Sequence, residues 1–154
     1  MNLGNVDAFA AGAVGEPGQR TFLVRVVVND ASYWMLLEKQ QVQSLAERCL
    51  DLLRTNYPLP PEQPADDIGV PEEVIFRVGQ IAVGFGDDEY TFQFAPTDPE
   101  VASVEFTATP SQVLGMCYQA LDSVGKGRKP CPKCGLPMDG ESCVACPKEN
   151  GHRR

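Results

Sequence analysis

Arg20-Thr21-Phe22-Leu23-Val24-Arg25-Val26-Val27-Val28 is the stretch on which the fold turns. Phe22, Val24, Val26 and Val28 alternate with Thr21, Leu23, Arg25 and Val27, the period-two pattern of a strand with one wholly apolar face. Pro17-Gly18 supplies the turn before it, proline setting φ at one central position and glycine accepting a positive φ at the next. Upstream, Ala13-Val14-Gly15 closes an earlier strand. Downstream, Asn29-Asp30 forms a turn into a strand over Ser32 to Glu38. After it Val42, Leu45, Ala46, Cys49, Leu52 and Leu53 fall on one helical stripe, so this helix lays one face on the sheet.

The same plan recurs further along. Ala82-Val83-Gly84, Thr91-Phe92 and Gln112-Val113 echo Ala13-Val14-Gly15, Thr21-Phe22 and Gln41-Val42 at offsets drifting from 69 to 71. Strands are expected near 74–85, 90–95 and 101–108. A second helix opens at Pro110-Ser111, where Thr109 caps and Pro110 occupies the first turn. Its stripe is Val113, Met116, Cys117, Ala120, Leu121 and Val124. Between the copies, Asn56 to Glu73 holds five prolines and five acidic residues, too polar and too rich in proline for a core element. The expectation is an α+β body, residues 1–125, of two pseudo-symmetric strand-strand-strand-helix halves with antiparallel pairing and helices on one face. The halves span about 6–56 and 74–125, joined by a mobile linker at 57–73. A small tail follows at 126–154.

Composition narrows the partners. No apolar run reaches the ~20 residues of a membrane helix, and Met1-Asn2-Leu3-Gly4 lacks the basic flank of a secretory signal, so a cytoplasmic protein is expected. The net charge of -8 hides a split: residues 1–125 hold six Lys/Arg against eighteen Asp/Glu, whereas 126–154 hold seven against three. An acidic body repels a phosphate backbone, which leaves RNA or DNA only weak contact through the tail.

That tail carries Cys131-Pro-Lys-Cys134 and Cys143-Val-Ala-Cys146. In a reducing cytosol such pairs read as ligands before disulfides, and four thiolates close a tetrahedral site without substrate or water. One structural Zn2+ held by Cys131, Cys134, Cys143 and Cys146 is therefore expected. Gly135 and Asp139-Gly140 supply the turns of a compact knuckle or minimal ribbon. A thioredoxin-like site lacks its strand-then-helix context. His152, the one histidine, stands beside two arginines as a solvated residue or an alternative ligand. Its solitude excludes a Ser-His or Cys-His nucleophile system from the body.

The run Ala11-Gly12-Ala13-Val14-Gly15-Glu16-Pro17-Gly18-Gln19-Arg20-Thr21-Phe22, the segment Leu37-Glu38-Lys39-Gln40-Gln41-Val42 and the ending Cys146-Pro147-Lys148-Glu149-Asn150-Gly151-His152-Arg153-Arg154 together resemble an actinobacterial family of unknown function. The resemblance spans nearly the whole chain and implies no reaction. Members of that family pair Cys-Pro-x-Cys-Gly with a histidine shortly before one late cysteine; here Cys143 stands in that neighbourhood.

The remaining landmarks have plain readings. Cys49 and Cys117 lie on apolar stripes, where buried cysteine packs as a small hydrophobe. Gly15 to Arg20 lacks the spacing of a phosphate loop and leads into a strand, which makes it a turn; Gln19 and Arg20 are the choice for contact with a small ligand. Glu38 precedes a helix, where a carboxylate suits the positive end of the dipole. Asp87-Asp88-Glu89 reads as a solvated hairpin tip lacking the ligands calcium needs. Tyr33-Trp34-Met35 points to packing on both strand faces, one of them open to a partner.

The leading expectation is a non-enzymatic interaction module with a protein partner, the tail presenting Lys129, Lys133, Arg153 and Arg154. An alternative is a small-metabolite hydrolase with a site between the halves, near Arg20, Gln19 and Glu38. A third is a thiol redox sensor releasing zinc on oxidation.

Overall fold

The structure, a computed structural model, describes residues 1–16, 18–56 and 58–125. In chain order they form β1 (Asn2–Asn5), β2 (Ala8–Val14), β3 (Thr21–Val28), β4 (Ala31–Leu37), α1 (Lys39–Asn56), β5 (Val74–Gly86), β6 (Glu89–Pro96), β7 (Val104–Ala108) and α2 (Pro110–Gly125). The period-two stretch is β3, placed as its alternation requires: Phe22, Val24 and Val26 join the main core while Leu23 faces the other way. The expected strand-strand-strand-helix halves are present as β2-β3-β4-α1 and β5-β6-β7-α2, with the helices on one face.

The sheet is mixed, which corrects the expectation of antiparallel pairing throughout. Its order is β1-β7-β6-β5-β4-β3-β2. Hairpins pair antiparallel within each half, but β4 runs parallel to β5 and β7 parallel to β1. A parallel neighbour needs a long crossover, and α1 with the segment after it supplies one between β4 and β5. The strand β1, short and without alternation, leaves no periodic signal. Its presence joins the two ends of the sheet: β1 pairs with β7, β2 pairs with β3, and only Val6 and Asp7 separate them. Val6 N–H donates to Thr107 O at 3.0 Å and Asp7 N–H to Val27 O at 2.8 Å. The sheet rolls until its edges share one continuous stretch of chain.

The two halves correspond residue for residue. Trp34 and Leu36 of β4 pair with Val74 and Arg77 of β5; 71 positions on, Glu105 and Thr107 of β7 pair with Asn2 and Asn5 of β1. Phe22 and Val24 oppose Leu37 and Met35, as Tyr90 and Phe92 oppose Ala108 and Phe106. Phe22 thus corresponds to Tyr90 and not, as the dipeptide match implies, to Phe92. The register moved because the loops trade lengths. A two-residue turn joins β3 to β4 in the first half and β5 to β6 in the second, while the other hairpin of each half has a longer connection. Both short turns, Asn29-Asp30 (φ 52° and 68°) and Asp87-Asp88 (φ 54° and 61°), are left-handed at both positions, matching the twist of the flanking strands.

The main core gathers Phe9, Phe92, Phe94 and Phe106 beneath the helices. The rings of Phe92 and Phe106 stack at 5.1 Å, and Phe9 meets them edge-on at 4.9 and 5.1 Å. The helices pack on each other with Cys49 of α1 against Cys117 of α2, and the small residues Ala46 and Ala120 are fully buried as they are. On α1 the buried stripe includes Leu50, and Leu52 is only partly covered, a slight rotation from the stripe read off the sequence.

Each helix begins with the same device. Gln41 Oε1 accepts from Glu38 N–H at 2.7 Å while its Nε2 donates to Val78 O at 3.0 Å. Gln112 Oε1 accepts from Thr109 N–H at 2.9 Å while its Nε2 donates to Val6 O at 3.1 Å, and Thr109 Oγ1 caps Gln112 N–H. One amide thereby closes the first turn and pins the helix to the sheet, at Val78 of β5 for α1 and at Val6 between β1 and β2 for α2. Gln112 is buried and Gln41 partly exposed. Gln112→Ala is expected to cost about 2 kcal/mol, because it strands the buried Val6 carbonyl and also frees the Thr109 N–H, against about 1 kcal/mol for Gln41→Ala; urea denaturation of the two variants checks the ordering.

The segment after α1 is not a free tether, which corrects the linker expectation. It crosses the outer face of the first half as a strap held by its main chain. Gln119 Nε2 donates to Asp66 O at 2.7 Å, Arg25 to Asp67 O at 2.8 Å and Trp34 Nε1 to Ile68 O at 2.8 Å. Gln63 N–H donates to Ser111 O at 3.2 Å. Ile68 buries against Ala10, Leu23 and Trp34 in a second apolar cluster. The outer face of Tyr33-Trp34-Met35 is thus covered by this chain itself.

Candidate functional site

β5 outruns its neighbour. Its pairing with β4 ends at Leu36↔Arg77, yet the strand continues to Gly86, paired only with β6 on its other side. A register shift between Val78 and Gln80 places Gly79 against Pro96 and Thr97, where a Cβ would have only 3.3 Å. Beyond that bulge the free edge of β5 faces the first half of α1 across an open crevice of about 290 Å³. Ile81, Val83 and Leu45 provide its apolar surface, and Gln40, Ser44 and Arg48, at successive turns of α1, provide its polar wall. Gln41 closes one end by its bond to Val78 O. On the opposite face of β5, Gln80, Ala82, Gln93 and Ala95 line a second open hollow of about 350 Å³.

None of this was read from the sequence. The signal was present in the length of the apolar alternation after Val74, too long for one neighbour of seven residues to cover.

The residues expected to contact a small ligand are given structural work. Arg20 donates to Ser123 O at 2.6 Å near the C-terminus of α2 and lies 5.4 Å from the Phe22 ring, so it ties the β2-β3 loop to the helix end, where a cation suits the dipole. Gln19 is exposed in that loop, its N–H donating to Glu16 O at 2.9 Å. Pro17 lies outside the described residues. Glu38 pairs with Arg77 at 2.7 Å on the surface and its main chain caps α1. The seam between the helices, where the hydrolase reading requires a polar cleft, holds the fully buried thiols of Cys49 and Cys117 in contact.

The expectation of a structural Zn2+ is corrected. Among the described residues no group of three or more His, Cys, Asp or Glu side chains could hold a metal ion. Cys131, Cys134, Cys143 and Cys146 lie outside those residues, as do His152 and the basic side chains of the tail. Asp87 and Asp88 form a tight turn, as expected. Among the described residues no helix is long and apolar enough to cross a membrane.

Cys49 and Cys117 are free and buried. The Cys49 thiol is pushed far above its ordinary value of 9.0, first by its hydrogen bond with Cys117 and then by burial. Burial also raises Tyr90 from its ordinary value of 10.0. Folding therefore retains protons that the unfolded chain releases: this stability is complete below about pH 9 and is lost as pH rises beyond it. A steeper alkaline loss of stability in the parent protein than in Cys49→Ala is expected from urea titrations between pH 7 and pH 10.5. Both thiols should also resist alkylation at pH 7.5 until urea unfolds the chain, because both are fully buried.

Comparison with known proteins adds the family. Residues 1–146 match a family model described as a protein of unknown function (DUF3090). No curated protein and no solved structure matches.

Proposed function

The chain belongs to this family of unknown function, and we propose that its α+β body is a non-enzymatic interaction module that receives a protein partner in the crevice between α1 and β5. The observation that carries the reading is the unpaired edge of β5 beyond Arg77 beside an open, apolar-floored crevice. A bare strand edge with accessible apolar side chains is a standing template for another polypeptide. The charge of the body, six Lys/Arg against eighteen Asp/Glu, favours protein over nucleic acid. The hydrolase reading gains no support from Arg20 or Glu38, whose bonds to Ser123 and Arg77 explain them.

A photo-crosslinking residue placed at Ser44 tests this in the native cytosol. A discrete protein adduct at Ser44, absent from a control probe at exposed Glu100 and lost on Ile81→Asp, is expected. Equal labelling at both positions, or none at either, would overturn the reading.

A further inference from the structure

The internal symmetry says what kind of chain the crevice takes. Along the helices, Gln40, Ser44 and Arg48 correspond to Ser111, Gly115 and Gln119; along the strands, Ile81 and Val83 correspond to Phe9 and Ala11. The crevice between α1 and β5 therefore has a twin between α2 and β2, where Gln119 of α2 meets the strand edge directly and the chain's own strap fills the space beside it. Gln63 N–H donates to Ser111 O, Gln119 Nε2 donates to Asp66 O, and Gln119 Oε1 accepts from the edge N–H of Ala11 at 2.8 Å. With Gln63 to Asp66 seated, only about 30 Å³ remains open there. The occupant is an extended, proline-containing segment recognised through its main chain.

Resting on the interaction reading above, we propose that the crevice between α1 and β5 binds an extended, acidic, strap-like peptide segment of a partner protein. Two differences between the twins set the chemistry. Arg48 stands where Gln119 stands, so it can donate to a peptide carbonyl or a carboxylate but cannot accept from the strand. An exposed guanidinium in that position selects for an acidic side chain beside the carbonyl it meets. Ser44 stands where Gly115 stands. In the twin, the absence of a Cβ lets the Gln63 carbonyl press against α2, since a Cβ there would come within 2.9 Å of the Gln63 carbonyl carbon. The partner segment rides farther from α1 by that side chain and meets a hydroxyl on the way. The Ser44 side chain thus disfavours the pose that the strap takes against α2.

The test uses the full chain and a synthetic peptide carrying the strap sequence Glu62-Gln63-Pro64-Ala65-Asp66-Asp67-Ile68, followed by methyl and amide NMR. Saturable shifts confined to Leu45, Ile81, Val83 and the first turns of α1 are expected, weakened about tenfold by Arg48→Ala and abolished by Ile81→Asp. A peptide in which both aspartates are asparagine is expected to bind more weakly. Three results would overturn the proposal: no saturable shift at millimolar peptide, shifts that map instead to α2 and β2, or protection of the crevice by concentration-dependent self-association of the unliganded chain. The first two, combined with a groove-specific crosslink at Ser44, would remove the peptide class while leaving the interaction module standing.

Discussion

Gly115→Ala is expected to expel the strap from the crevice between α2 and β2. An alanine Cβ would overlap the Gln63 carbonyl oxygen and come within 2.9 Å of its carbon and 3.3 Å of the Ala65 nitrogen. All three are backbone atoms, so no side chain can rotate away. Alanine gains about 1 kcal/mol over glycine in a helix interior, which opposes the loss. Overpacking against fixed backbone costs about 1–3 kcal/mol, and displacement also breaks the bonds from Gln63 N–H to Ser111 O and from Gln119 to Asp66 O. The overlap therefore wins, and the protein should lose stability where propensity alone forecasts a gain. Trp34, the one tryptophan, reports the strap directly, because Ile68 covers it and its Nε1 donates to Ile68 O. Its emission should shift to the red in Gly115→Ala. Ser44→Ala, the equivalent position on α1 where no strap sits, should stay within about 0.5 kcal/mol of the parent. An unshifted Trp34 emission in a stabilised Gly115→Ala protein would show that the strap is not seated on α2.

Phe92→Ala carries the largest expected loss in the main core, about 3–5 kcal/mol. Phe92 is fully buried and its ring meets Phe9 at 4.9 Å, Phe106 at 5.1 Å and Phe94 at 6.3 Å. Removing it opens a cavity at the point where β2, from one end of the sheet, packs on β6 and β7, from the other. A domain of this size has about 5–15 kcal/mol in total, so the variant sits near its folding threshold. Phe92→Leu retains most of the volume and should lose about half as much or less. Urea denaturation of the pair separates the cavity from the ring: equal losses would mean that the edge-on and stacked contacts dominate.

Much of the local structure was legible because it rests on local patterns. The alternation through Phe22, Val24 and Val26 needs only a one-sided apolar face, and the stripes through Val42, Leu45 and Ala46 and through Val113, Met116 and Cys117 need only a helix lying on that face. The recurrence of Gln41-Val42 as Gln112-Val113 also survives, because the capping amide and the first core residue depend on helix geometry that both halves share. The strand matches did not survive in register. Loops that trade lengths between the halves moved the true counterpart of Phe22 from Phe92 to Tyr90, and a dipeptide match carries no information about loop length.

Of the candidate site only the length of β5 was legible, in the long apolar alternation after Val74. The polar choices, Gln19, Arg20 and Glu38, turned out to hold a loop, a helix end and a surface ion pair. The crevice is instead built from ordinary residues of α1 and β5 that become a site only because β4 stops short of them. The segment from Asn56 to Glu73 misled for a related reason. Its prolines and acids exclude regular structure, as read, yet three successive carbonyls from Asp66 to Ile68 find donors on Gln119, Arg25 and Trp34. Main-chain acceptors are present in every sequence, so composition cannot say whether donors elsewhere in the fold will meet them.

By itself, then, the sequence determined every described element except β1, their order, the approximate face each one buries and the acidic character of the body, all of which follow from periodicity, turn chemistry and charge within a few residues of one another. Tertiary structure alone decided the parallel pairings, the joining of the sheet's two ends through Val6 and Asp7, the seating of the strap and the open crevice opposite it. Those depend on which distant segments compete for the same strand edge, and that competition is settled by the lengths of the intervening crossovers and by packing that no local window contains.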